Sequence, residues 1–301
     1  MKLKKMLSVL VALSMVAAVA GCSKNKTITG DDFIDACEKM GAEELDPEDT
    51  EELELDDYED GIYFIMDSDY IEEHAEEAED VADDANFGGV SISSGLPDFE
   101  SVLEPDDIEQ MVVYMQMVQE GTEDLDDVSD IEDMEIDGVF GAHITLTDED
   151  IAGDFMENLA DTLDDMNIDV DDLSSDEYSA DKNGGSLVLH VDAQTLVEAF
   201  KDSETYDILT SLIDEDEIND SIENLTGDIG VYVHAEGVNI VVVVVGNVNV
   251  DAELGPDFCS NLGISNPTDV DPNEDFATAI CDVVDDTVGQ MIALIAAFSG
   301  L

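Results

Sequence analysis

The stretch Asn239–Val250 restricts the fold more than any other part of this chain: Asn-Ile-Val-Val-Val-Val-Val-Gly-Asn-Val-Asn-Val. Successive side chains of an extended strand point to opposite faces. Ile240, Val242 and Val244 therefore share one face, and Val241, Val243 and Val245 share the other. A strand with no polar side belongs at the centre of a sheet, covered above and below. Ile229–Ala235 precedes it across Glu236-Gly237-Val238, the spacing of a β-hairpin.

Other strands are expected at Ile62–Met66, Val90–Ser94, Val139–Leu146 and Leu187–Val191. Helical spacing of apolar residues marks Asp31–Met40, Tyr70–Ala85 and a segment opened by Pro105, with Ile108, Met111, Val112 and Met115 as its buried stripe. Thr147 and Asp150 resemble a capping box ahead of a helix carrying Ile151, Phe155, Leu159 and Leu163. Asp192 caps the helix bearing Leu196, Val197 and Phe200, and further helix is expected over Tyr206–Leu225 and Asp275–Phe298.

These elements predict an α+β fold: a mainly antiparallel sheet, helices packed on one face, and two lobes. The lobes are 31–119 and 137–301, divided by the acidic connector 120–136. In that connector Leu125, Val128, Ile131 and Met134 recur every third position. A deep cleft near Asp124 and Asp127 would favour solute binding.

The N-terminus says where the chain resides. Lys2, Lys4 and Lys5 precede an apolar run over Met6–Ala17, and Val19-Ala20-Gly21 leads into Cys22. A basic start, a short apolar core and a small-residue cleavage site are features of a secretory signal. The segment resembles a bacterial lipoprotein signal, whose lipobox ends in the cysteine that is lipidated. The resemblance covers only these residues. It implies a signal peptide over 1–21, lipidation at Cys22, a polar tether over 22–30, and anchorage on the extracytoplasmic face of the cell membrane.

Charge excludes several partners. The chain has 79 acidic residues, 8 lysines and no arginine, and the first acid is Asp31. Loss of 1–21 leaves 79 acids against 5 lysines, a formal charge of −74. Such a field repels phosphate, so nucleic acid is not a partner. A hydrophobic content of 44% still permits a folded core inside a carboxylate shell that draws counterions. Weak Ca²⁺ association and a cationic or cell-envelope partner fit that shell.

Dedicated sites are harder to find. Asp133-x-Glu135-x-Asp137-Gly138 begins like a calcium loop but reaches Ile144 at its twelfth position, where Glu is needed. Asp165–Asp176 lacks the turn glycine, and Asp269–Ile280 lacks both glycine and final acid. His143, His190 and His234 each fall on the less apolar face of an expected strand, so neighbouring strands would assemble a zinc-type ligand set. Against that stands the absence of any fixed metal-binding spacing. Cys259 and Cys281 flank a loop rich in Asn, Pro and Asp and are candidates for a disulfide, or for two reduced, buried thiols.

No nucleophile elbow, phosphate loop or dinucleotide fingerprint occurs, so no catalytic residue and no cofactor is assigned. The chain is expected to be a non-enzymatic, highly acidic, lipid-anchored surface protein with a structural, interaction or cation-associating role. The alternative is a solute- or metal-binding lipoprotein associated with a transporter.

Overall fold

The valine-rich strand does sit near the middle of a sheet. The computed structural model describes residues 27–47, 58–71, 74, 103, 105–120, 134–170, 173–174, 177–181, 183–212 and 215–285. In chain order, α1 (Gly30–Met40) is followed by β1 (Glu43–Glu44), β2 (Ile62–Asp67), β3 (Ile108–Glu120) and β4 (Glu135–Leu146). Next come α2 (Ile151–Asp165), β5 (Tyr178–Asp181), β6 (Gly184–Asp192), α3 (Ala193–Lys201), α4 (Glu204–Leu212) and α5 (Glu215–Ile222). The hairpin β7 (Gly227–Glu236) and β8 (Asn239–Val248) leads into α6 (Leu254–Leu262), and α7 covers 274–285.

The eight strands form one sheet in the order β1-β2-β3-β4-β8-β7-β6-β5. Every pairing is antiparallel except β1 with β2. The α+β class and the mainly antiparallel sheet are as the sequence indicates. β3 and β4, on either side of the acidic stretch, pair from Ile108↔Leu146 to Glu120↔Glu135. Strands from the two expected lobes thus share this sheet.

Helices pack on both faces rather than one. On the first face Tyr114, Val139, Tyr232, Val241, Val243 and Val245 lie beneath Phe33 and Ala36 of α1 and Phe258 and Leu262 of α6. Gly141 makes this approach possible: a Cβ there would stand 2.8 Å from the Phe33 ring and 3.0 Å from that of Phe258. On the second face Val113, Phe140, Val231, Val233, Leu187 and Leu189 meet Phe155, Met156, Leu159 and Leu163 of α2 and Phe276 and Ala277 of α7. The two-sided apolar run over Ile240–Val245 is satisfied in this way, because each face has its own helical cover.

Local signals explain several element ends. Thr29 and Asp32 form a capping box at α1, which stops at Gly41 in the left-handed conformation (φ 87°). The Asp192 side chain accepts from Thr195 N–H at 2.7 Å, as expected for its cap. α2 has no such box: Asp150 makes no side-chain cap bond, and Asp148 accepts the Asp150 N–H instead.

Two other expectations are corrected. Residues 108–120 form a strand, not a helix; only the turn at Pro105–Asp107 is helical. The helix expected over 206–225 is two helices, α4 and α5. The strand at 90–94, most of the helix at 70–85, the connector over 121–133, the 286–298 end of the last helix, and Asp124 and Asp127 lie outside the described residues. Among the described residues, no helix is long and apolar enough to cross a membrane.

Candidate functional site

Strand alternation puts the three histidines on the first face, and the register separates them. His143 and His234 both pair with Val241, so that valine lies between them in one row. Two strand spacings separate them, roughly 10 Å. His190 lies four residues along β6 from Ser186, the residue paired with His234, or roughly 13 Å. Zinc needs its ligand nitrogens gathered at about 2 Å around one point, whereas each of these rings is held by a different local partner: Ile28 and Asn239, Ser186, or Val270 and Asp228. Among the described residues, no group of three or more His, Cys, Asp or Glu side chains could hold a metal. The histidine-based metal site is therefore corrected: a shared face does not produce a shared centre.

Each imidazole instead has a local task. His143 is fully buried, and its Nε2–H faces the Ile28 carbonyl and Asn239 Oδ1, both at 3.1 Å. Burial holds its pKa below the usual histidine value, against the opposing pull of these bonds. Its Nδ1 is buried without a hydrogen-bond partner. His234 Nδ1 shares a 2.7 Å hydrogen bond with Ser186 Oγ, and burial lowers its pKa as well. His190 lies between the Val270 carbonyl at 2.8 Å and Asp228 Oδ1 at 2.9 Å. This ring pins the turn at Pro267–Asp269 over Gly230, where an added Cβ would stand 2.9 Å from Pro267 and Thr268.

The proposed disulfide is also corrected. Cys37, Cys259 and Cys281 are free and buried. Cys259 belongs to the first-face cluster, whereas α7, which carries Cys281, packs Phe276 and Ala277 into the second-face cluster. The sheet stands between the two clusters. Burial pushes the Cys37 and Cys259 thiols up to about 12 and Cys281 to about 11. Thiols held so far from ionisation are poor nucleophiles and poor metal ligands. Cys22 lies outside the described residues.

The calcium-like segments take other forms. Glu135–Ile144 is strand, so the first has no loop to wrap an ion. Asp137 points to the first face, where its Oδ2 accepts from Glu253 N–H at 2.8 Å and Leu254 N–H at 3.0 Å and so caps α6. Asn273 Oδ1 similarly accepts from Phe276 N–H near the start of α7.

One cavity stands out, on the second face at the far end of β4 and β8. Gly138 and Gly246 oppose each other in register, and the missing side chains leave a hollow of about 190 Å³. Tyr58, Met115, Met117, Phe140 and Val244 line it, and it opens to solvent. Gln116 also borders the space, but its amide is already engaged: Nε2 donates to the Glu59 carbonyl at 2.9 Å, and Oε1 accepts from Tyr114 OH at 2.6 Å. The hollow compares with the roughly 150 Å³ apolar cavity known to admit benzene. It suits a small apolar group, and among the described residues its lining includes no carboxylate, imidazole or thiol.

No family model, curated protein or solved structure matches this chain. The hollow was not visible in the sequence. Isolated glycines within strand patterns are a signal of unusual packing, but only the register shows that Gly138 and Gly246 face each other.

Proposed function

We propose that this is a lipid-anchored, extracytoplasmic protein whose carboxylate shell associates with cations or with a cationic partner in the cell envelope. The charge imbalance carries this reading: 79 acids against 8 lysines and no arginine. Among the described residues, one lysine makes an ion pair, Lys201 Nζ with Glu223 Oε1 at 3.8 Å. Counterions must therefore come from outside the fold. The reading includes no catalytic step and no resident cofactor.

Two experiments test it. Cys22→Ala should release the protein from the membrane fraction; retention with an uncleaved signal would point to a plain apolar anchor. The Tm should rise with NaCl and more steeply with Ca²⁺ or Mg²⁺, because ions screen or bridge neighbouring carboxylates. A flat response to both would overturn the cation-associating role.

A second reading, a solute-binding lipoprotein associated with a transporter, is favoured by the hollow beside Gly138 and Gly246. The solute would present a small apolar group and no anionic charge, since the surrounding field repels anions. The metal-binding variant of this reading draws no support from the three separated histidines.

A further inference from the structure

Thr27, five positions after Cys22, is already bound to the sheet. Thr27 Oγ1 donates to Glu236 Oε2 at 2.5 Å, beside the hairpin turn of β7 and β8. Ile28 is 2% exposed and joins the first-face cluster, and its carbonyl accepts from His143 Nε2. Thr29 then caps α1. Two residues of the segment expected to be a polar tether, Thr27 and Ile28, are thus fixed to one end of the sheet, and the next opens α1.

Five steps of chain separate Cys22 from Thr27. Whatever their conformation, they span at most roughly 18 Å. The hairpin end also includes the 146–150 segment, since Leu146 N–H donates to the Val238 carbonyl at 2.7 Å. The opposite end holds Gly227 and Val248, nine residues along the ladder from Glu236 and Asn239, or roughly 30 Å away. The hollow between Gly138 and Gly246 lies toward that far end.

The geometry points to a defined orientation on the membrane: the hairpin end, docked by Thr27 and Ile28, faces the bilayer, and the Gly138–Gly246 end faces outward. The partner of the hairpin end is the lipid surface that holds the anchor. This inference rests on lipidation at Cys22. Lys24 and Lys26 are the only cations between that residue and the docked segment, and their charge would offset repulsion from anionic headgroups. A solute entering the hollow would then arrive from the outer side, away from the bilayer.

Exposed positions at the two ends give the test. Glu149→Cys marks the hairpin end and Asp251→Cys the far end; both native residues are exposed. The three native buried thiols, held protonated near neutral pH, should resist labelling. Each variant is labelled with a fluorophore in the lipidated full chain, placed in vesicles carrying a quencher on the headgroup. Stronger quenching at 149 than at 251 is expected. That difference should be lost when a ten-residue Gly-Ser segment is inserted between Lys26 and Thr27, a change that leaves the fold intact and lengthens the tether. Equal quenching, or stronger quenching at 251, in a protein shown by mass to be lipidated would overturn the orientation while leaving the anchor standing. Failure of Cys22→Ala to leave the membrane would instead overturn the anchor reading beneath it.

Discussion

β4 carries two glycines three positions apart, Gly138 and Gly141, and they meet opposite fates. Gly141 points to the first face, where the Phe33 and Phe258 rings descend into the space left by its missing side chain. Those rings meet edge to face at 5.6 Å, and Phe258 stacks on Tyr114 at 4.5 Å. Gly138 points to the second face and lies opposite Gly246, and no ring enters. A Cβ at Gly246 would find nothing nearer than the Asp228 carbonyl at 3.8 Å. A strand glycine is therefore not in itself a sign of tight packing or of a cavity. The facing element decides: α1 and α6 supply large rings at one site, and a second glycine faces the other.

The largest expected effect comes from removing what fills the first face. Phe258→Ala should cost about 3–5 kcal/mol of stability in denaturant titration, since the ring is fully buried between Phe33 and Tyr114. Gly141→Ala should cost about 1–3 kcal/mol, because its new methyl would overlap two rings that are themselves packed. If Gly141→Ala proved neutral, the rings would be able to shift and the contrast between the two glycines would weaken.

The faces should also differ in their response to acid. His143 and His234, on the first face, have folded pKa values lowered by burial. A lowered folded value means their stabilising contribution is present above the unfolded value near 6.5 and is lost as pH falls below it. Asp285, on α7, has its carboxyl raised by burial, but hydrogen bonds from the N–H groups of Thr205 and Glu204, both at 2.8 Å, more than reverse this and hold it low. Its contribution is present above the unfolded carboxylate value and is lost as pH falls through the folded one. Asp285→Ala should therefore cost about 1 kcal/mol at neutral pH, with the gap to wild type closing only in the acid range. His143→Gln should reduce the stability lost between pH 7 and 5. Chemical denaturation at pH 7, 5 and 3 separates the two windows. Identical pH profiles for wild type and His143→Gln would show that this imidazole does not contribute.

The smallest effect is expected at the hollow. Gly246→Ala should leave stability unchanged or raise it by about 0.5 kcal/mol, because the methyl meets open space and the unfolded chain loses freedom. The same change should reduce uptake of a small apolar probe such as benzene. Unchanged uptake would mean the hollow is not where such a probe binds.

Much of this fold was readable from residue patterns, and the failures have physical causes. Alternation placed Ile240–Val245, His143, His190 and His234 on their faces, because period two is a property of the strand itself. Distance between imidazoles depends on strand order, which no single strand encodes. Residues 108–120 misled because Ile108, Met111, Val112 and Met115 satisfy a helical spacing while Met111, Val113, Met115 and Met117 satisfy a strand; pairing with β2 and β4 decided between them. The one-sided placement of helices was at odds with the valine run, which called for two covers. α6 was missed although Leu254, Phe258 and Leu262 recur every fourth residue and Gly263 ends it at φ 79°. Docking of Ile28 had no visible signal, since one isoleucine in a polar stretch acquires meaning only beside His143.

Both margins of the sheet end in a short, acidic strand. β1 contributes only Glu43 and Glu44, both exposed, and β5 is four residues long with Ser179, Ala180 and Asp181 exposed. Beyond β5, the open side of β6 is occupied, since Asn273 N–H donates to the His190 carbonyl at 2.8 Å. Among the described residues, a neighbouring molecule seeking to extend the ladder would meet a short strand and a like charge at each margin. This arrangement is a safeguard against cross-β association. Neutralising Glu43, Glu44 and Asp181 together would be the way to remove it.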